Sequence, residues 1–337
     1  MHLLTRTNSY TGVKYKDDPT ILMWELANEP RCKSAGVYGE SGTCTTKTIT
    51  KWADEMSRWV KSIDNKHLVS AGDEGFYCIP GATDWTENCG EGVDTMALAG
   101  LPAMDVMSFH LYPDHWLKDT AWGTQWIVRH FQDAKRINKP ALLGEFGILD
   151  KSKCNVVYKE WTDAVLANNG AGALYWILSG IQDDGTLYAD YDGFTVYAGT
   201  PVFTTLGNFA KTILGIASSF APVADNDQAV VEFETPVTLP VAANDIAYNG
   251  ATVLPGTIDL NPSTAGQQTT VSVTGGVFAW QSDGTVLFTP AAGFAGKANA
   301  GYTIQDSAGR TSNVAALQVT VKPSPTAPIQ LFSFESG

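Results

Sequence analysis

The sequence predicts a multi-domain chain in which a parallel α/β segment is followed by an antiparallel β-sandwich. Three observations carry this. Short apolar runs such as Ile21-Leu-Met-Trp24 alternate with stretches of helical period such as Ile49 to Ile63 over residues 1–216, the pattern of strands covered by helices. From about residue 228 the period changes to two, as Thr270, Ser272 and Thr274 alternate with Val271 and Val273, which is the signature of half-buried strands. At 337 residues the chain also exceeds the roughly 250–300 at which one core stops growing.

Taken in order, the first segment reads as strands near 20–27, 67–71, 104–111, 140–146 and 171–178, with helices near 46–63, 122–137, 155–168 and 202–214. The second reads as strands punctuated by Gly275-Gly276, Asp283-Gly284 and Gly293 at hairpin spacing. Composition marks the boundary. Residues 1–216 hold all five His, all five Cys and nine of the ten Trp. Beyond them Lys297, Arg310 and Lys322 are the only cations. The expected domains are therefore 1–216, a linker at 217–222, a module at 223–322 that folds by itself, and a Pro-rich linker with the start of a further module at 323–337.

Apolar residues make up 44% of the chain and charged residues 17%, enough to build packed cores. A net charge of -13 argues against an electrostatic grip on nucleic acid or anionic lipid and leaves neutral polymers open. No apolar run reaches the roughly 20 residues of a membrane span. The start, Met-His-Leu-Leu-Thr-Arg-Thr-Asn, lacks the apolar core of a signal peptide. Cys32 with Cys44 and Cys78 with Cys89 lie at spacings unlike those of zinc sites. Two local disulfides are expected, each worth roughly 3 kcal/mol in an oxidising compartment, with Cys154 outside both. Five reduced cysteines are the alternative.

Several strands of the first segment end in chemistry-bearing residues: Asn28-Glu29-Pro30-Arg31, His110-Leu-Tyr112-Pro113, Glu145-Phe-Gly147 and Trp176. Parallel strands of a barrel bring their carboxyl ends to one opening, so Glu29 and Glu145 would share a cleft. Paired carboxylates are what glycoside hydrolysis needs. Asn28 could bond a sugar hydroxyl, Tyr112 hold one carboxylate, and Trp176 stack on a sugar ring. Trp116 is either a second stacking residue or a loop anchor. Glu25 reads as a buried structural carboxylate. Asp183, Asp184, Asp190 and Asp192 form an acidic loop whose spacing fits no EF-hand, and His67 and His130 read as fillers. Neither a metal nor a cofactor is expected.

Trp24-Glu-Leu-Ala-Asn-Glu-Pro-Arg31, Phe109-His-Leu-Tyr-Pro113, Leu143-Gly-Glu-Phe-Gly147 and Leu174-Tyr-Trp-Ile177 resemble, in order and spacing, the later strands of glycoside hydrolase family 5. The flanking Tyr15-Lys-Asp-Asp-Pro-Thr-Ile21 and Tyr191-Asp-Gly-Phe-Thr-Val-Tyr197 look like its endo-β-1,4-mannanases. The resemblance implies Glu29 as acid/base, Glu145 as nucleophile, Asn28, His110 and Tyr112 in support, and Trp176 as platform, with mannan, galactomannan or glucomannan as substrate and secretion as destination. It also implies an incomplete (β/α)8 TIM barrel, strands four to eight, without the arginine the family places on strand two. An open set of strands is expected to pack loosely and turn over substrate poorly. A β-1,4-glucanase of the same family and a non-catalytic fragment on an adhesive spacer are the competing readings. The module at 223–322 resembles the cadherin-like or fibril-type repeats of bacterial surface proteins, and 329–337 the first strand of a carbohydrate-binding jelly roll.

Overall fold

The computed structural model describes residues 2–33, 41–215 and 220–325; the tail expected to open a further module lies outside them. Two compact units emerge, Met1–Leu149 with Glu160–Val196, and Asp150–Lys159 with Tyr197–Gly337. Among the described residues no helix is long and apolar enough to cross a membrane.

The first unit is built on parallel strands. β1 (Met23–Glu25) pairs in register with β2 (Leu68–Ser70), and a parallel bridge from Ser70 to Val106 leads on to β3 (Met107–Leu111), β4 (Ala141–Phe146) and β5 (Gly172–Ala173). The strand expected over 171–178 is thus much shorter. The β3–β4 ladder slips after Phe109, so that Phe109 pairs with Leu143 but His110 with Glu145. Gly144 is the extra residue. Such irregularities re-aim side chains, and a Cβ on Gly144 would stand 3.1 Å from His110 Nε2.

Helix Thr46–Ile63 starts where the Thr45 N–H donates to Thr48 Oγ1 at 3.1 Å, which satisfies a backbone donor at the helix start. Helix Thr120–Arg136 starts where Asp119 accepts from the Trp122 N–H at 2.7 Å. Its buried face, Gly123, Trp126, Ile127, His130, Phe131 and Ala134, keeps the spacing of an amphipathic helix. Gly123 belongs there because a Cβ would meet the buried Trp161 ring at 2.9 Å. His67 and His130 are more than fillers: His67 Nδ1 lies 2.6 Å from Asp64, and His130 bridges the carbonyls of Trp126 and Gly75.

Both expected disulfides form, Cys32–Cys44 and Cys78–Cys89, and Cys154 is a buried thiol outside them. The Cys78–Cys89 loop carries Asp84, which holds Lys118 at 2.5 Å, and Glu87, which pairs with Arg129. Replacing both Cys78 and Cys89 by Ser should lower stability by roughly 3 kcal/mol, read as a lower denaturant midpoint with an unchanged slope. An unchanged midpoint would show that the loop is held by its ion pairs instead.

In the second unit two four-stranded sheets, β10-β14-β15-β8 and β11-β12-β13-β9, lie on one apolar core. The strands are β8 (Asp227–Val231), β9 (Val237–Leu239), β10 (Val253–Asp259), β11 (Thr270–Val273), β12 (Gly276–Trp280), β13 (Val286–Pro290), β14 (Gly296–Asp306) and β15 (Ala315–Val321). The two-residue strands β6 (Leu178–Ser179) and β7 (Val196–Tyr197) precede them. Ala315, Leu317, Val319 and Val321 all turn inward, the two-residue period read from sequence. One pair departs from the antiparallel expectation: β15 runs parallel to β8. These are the last and first strands, and the whole module between them supplies the long crossover that parallel pairing needs. A second, smaller cluster lies outside this core, where Val223, Ile246 and Tyr248 pack with Val156 and Phe220.

Candidate active site

Because β1 to β5 run parallel, their carboxyl ends open on one side. The residues at and just beyond these ends therefore decide the chemistry. Beyond β1, Glu29 adopts a left-handed backbone, φ 50°, and its N–H donates to Gly72 O at 2.8 Å beyond β2. His110 on β3 is buried, with Nδ1 2.9 Å from Glu29 Oε1 and 3.8 Å from Glu145 Oε2. The Trp126 indole donates to the His110 carbonyl at 3.0 Å. Tyr112, buried just past β3, donates its hydroxyl to Glu145 Oε2 at 2.6 Å, a charge-assisted contact. One oxygen of each carboxylate and a His110 ring nitrogen all lie within 4.8 Å of one another. Burial disfavours a charged His110, but its hydrogen bond to Glu29 and the charge of Glu145 outweigh this and raise its pKa.

A second layer stands behind Glu29. Arg31 Nη1 lies 3.2 Å from Glu91 and its Nε 3.5 Å from Glu74, while Lys33 reaches Glu91 at 3.0 Å. Burial, aided by the charge of Glu29 and opposed by Arg31, pushes Glu74 up to about 8. Burial likewise pushes Asp73 up to about 6. Glu74 is thus protonated in the folded protein at neutral pH and ionised in the unfolded chain, so folding takes up a proton. Its contribution to stability is complete below its ordinary carboxylate range, 4.5, and is lost as pH rises through about 8. Glu74→Gln should flatten the fall in melting temperature over that window; a curve that keeps its slope would place the proton elsewhere.

Beside this layer is a cleft of about 280 Å³ lined by Arg31, Lys33, Trp85, Glu91, His115, Trp116 and Leu117. Trp116 sits at its wall but is 6% exposed and packs edge-on against Phe76, Trp85, Trp122 and Trp126. Most of its ring is therefore committed to the fold. Trp176, by contrast, is 38% exposed. Its N–H donates to Phe146 O at 3.0 Å and its indole to Asp192 at 2.8 Å. Asn28 is exposed next to Glu29. Glu25 is exposed too, contrary to expectation, because β1 pairs on one side only among the described strands; it accepts from Ser70 at 2.9 Å. The acidic loop is hydrogen-bonded to its own chain through Asp184, Asp190 and Asp192.

Glu29, His110 and Glu145 together also form a donor set that a divalent cation accepts. The geometry engages His110 with Glu29 directly. Sequence reasoning passed over Glu74, Glu91 and Gly72. The signal was Asp73-Glu74 directly after a strand, where a buried strand should simply stop.

The GH family 5 beta-mannosidase-like model matches residues 1–169, and a bacterial Ig domain matches 219–321. The chain is 37% identical over 196 residues to mannan endo-1,4-beta-mannosidase A of Podospora anserina, covering 57% of this chain and 49% of that one. Among solved structures it is similar to the endo-1,4-beta-mannanase of Rhizomucor miehei, at 38% identity and a TM-score of 0.59, covering 64% of this chain and 59% of that one. An endo-beta-1,4-mannanase from Thermotoga petrophila is similar at 26% identity and a TM-score of 0.61, over 96% of this chain and 70% of that one. The chain spans about half the length of the curated relatives it matches.

Proposed function

Since the chain belongs to the GH family 5 beta-mannosidase-like family, we propose that it carries the catalytic pair of a retaining endo-β-1,4-mannanase. The observation that supports this most directly is the carboxylate pair. With oxygens of Glu29 and Glu145 within 4.8 Å, the separation suits a retaining pair at roughly 5–5.5 Å and leaves no room for the water an inverting pair needs at roughly 6.5–9.5 Å. Glu145, steadied by Tyr112, attacks the anomeric carbon while Glu29 gives its proton to the departing glycosidic oxygen. Glu29, now a carboxylate, takes a proton from water. That water attacks the glycosyl-enzyme and frees Glu145.

Asn28 is assigned to the sugar 2-hydroxyl, His110 to orienting Glu29, Trp176 to the sugar face, and Trp116 to the wall of the cleft. The five parallel strands are read as strands four to eight of an eight-stranded barrel, within a domain at 1–216. Residues 223–322 are read as a spacer module. The two disulfides and the polymeric substrates named for the relatives support an extracellular setting. The test is hydrolysis of mannan against cellulose, with the configuration of the first product followed by NMR. Cleavage of mannan with retention is the expected result; preference for cellulose, or an inverted product, would overturn the reading.

A further inference from the structure

Trp116 and Trp176 are held in opposite ways. Neighbouring rings pack on Trp116 from several sides, whereas among the described residues no aromatic ring packs on the exposed Trp176. An indole without such packing turns about its side-chain bonds unless its polar edge is caught. Asp192 catches it. The Trp176 indole N–H donates to Asp192 Oδ2 at 2.8 Å, and Asp192 Oδ1 accepts from the Phe194 N–H at 3.0 Å. With both oxygens engaged, one carboxylate ties the ring to the backbone of the loop beside it.

That backbone is itself anchored. The Thr195 N–H donates to Asp190 Oδ1 at 3.0 Å, and the Val196 N–H donates to the carbonyl of Ile177, the residue after Trp176, at 2.8 Å. Between these bonds Phe194 is buried, its ring 5.0 Å and edge-on from both Tyr112 and His115. A Cβ on Gly147 would stand 2.6 Å from the Phe194 ring. The glycine two residues past Glu145 therefore lets that ring seat. Residues 192–196 thus form a strap that holds the exposed indole at one end and braces, at its middle, the tyrosine that donates to Glu145.

We propose that Asp192 is a positioning residue that fixes the plane of the Trp176 indole and keys it, through the 192–196 strap, to Tyr112 and Glu145. The role deepens the reading of Trp176 as the residue under the sugar face and rests on that reading. A sugar platform and a nucleophile on different strand ends must keep their spacing to well under 1 Å, and a shared support achieves this where two separate loops would not. The acidic loop thereby divides in two. Asp190 and Asp192 build the strap, while Asp184 accepts from Thr186 within its own turn.

The experiment uses the full chain. Asp192→Ser keeps an oxygen for the Phe194 N–H, as serine does in short turns, but falls short of the indole. It should lower kcat/KM on mannan about tenfold and speed solvent exchange of the Trp176 indole N–H, followed by NMR, about tenfold or more. Asp192→Asn, with one acceptor for two donors, should fall between and is the second variant should the serine protein fail to fold. Trp176→Ala assigns the indole signal and closes the cycle: if Asp192 acts through the ring, the Asp192→Ser, Trp176→Ala double variant is no slower than Trp176→Ala alone. Native exchange in Asp192→Ser, or a further tenfold loss in the double variant, would overturn the role. Undiminished turnover of mannan by Trp176→Ala would instead overturn the platform reading, and faster exchange in Asp192→Ser would still identify Asp192 as the group that holds the ring.

Discussion

Replacing Glu145 by Ala is expected to reduce turnover by on the order of 10⁵ or more, the scale at which losing a covalent nucleophile removes the reaction path itself. Glu29→Gln should cost less, about 10²–10⁴, as for a general acid, and the loss should depend on the substrate. An aryl mannoside with a good leaving group needs no proton from Glu29 in the first step, so glycosylation of Glu145 survives and the intermediate accumulates. Glu145→Ala should show no such dependence. The two variants together thus assign the roles, and reversal of their leaving-group behaviour would exchange them. Retention of more than about a hundredth of the activity in Glu145→Ala would remove that residue from the mechanism. The variant should fold, since among the described residues the side chains it leaves without a carboxylate include just Tyr112 at 2.6 Å and His110 at 3.8 Å.

A single methyl group at Gly72 should be nearly as damaging by a different route. Gly72 has φ +74°, and a Cβ there would stand 2.0 Å from Ala27 O. The clash is with backbone, so no side chain can swing aside. The end of β1 must move away from β2 by more than 1 Å. That displacement stretches the bond from the Glu29 N–H to Gly72 O, 2.8 Å in the native fold, and carries Glu29 away from His110. Strain and overpacking together should cost about 3–5 kcal/mol, and a misplacement of about 1 Å at the proposed acid/base should lower turnover by about 10²-fold. Gly12→Ala is the control. Gly12 has a similar φ, +71°, with nothing within 4 Å of the added methyl, so it should show the backbone strain alone and unchanged kinetics. Equal effects from both substitutions would mean that the close approach to Ala27 plays no part.

Periodicity made the helices legible: the stretch expected at 46–63 is the helix Thr46–Ile63, because its apolar spacing and its Thr45 cap act locally. Strand-end residues were legible for the same reason, since Glu29, His110 and Glu145 each interrupt an apolar run. Contacts that join distant segments were not. Arg31 meets Glu91 60 residues away, and neither residue looks unusual beside its own neighbours. The slip at Gly144 leaves no trace in a run that reads as a plain strand. Trp116 could be read as a sugar platform or an anchor until Phe76 and Trp126 were seen against its ring. Likewise the parallel pairing of β15 with β8 depends on topology, which alternation does not encode.

Glu29 occupies a left-handed backbone position, φ 50°, where Asn, Asp and Gly are at ease and a longer side chain costs on the order of 1 kcal/mol. Its charge also bears on the buried Glu74. Folding and chemistry therefore favour different residues at this position. In a lineage that no longer needed turnover, selection for a stable chain would act against the glutamate first, and position 29 would drift toward asparagine while Glu91, Arg31 and the strands around it stayed. A Glu29→Asn protein should accordingly melt at or above the native temperature while failing to cleave polymer, so a lost Glu29 in an otherwise intact relative would mark a sugar-binding descendant and not a decaying one.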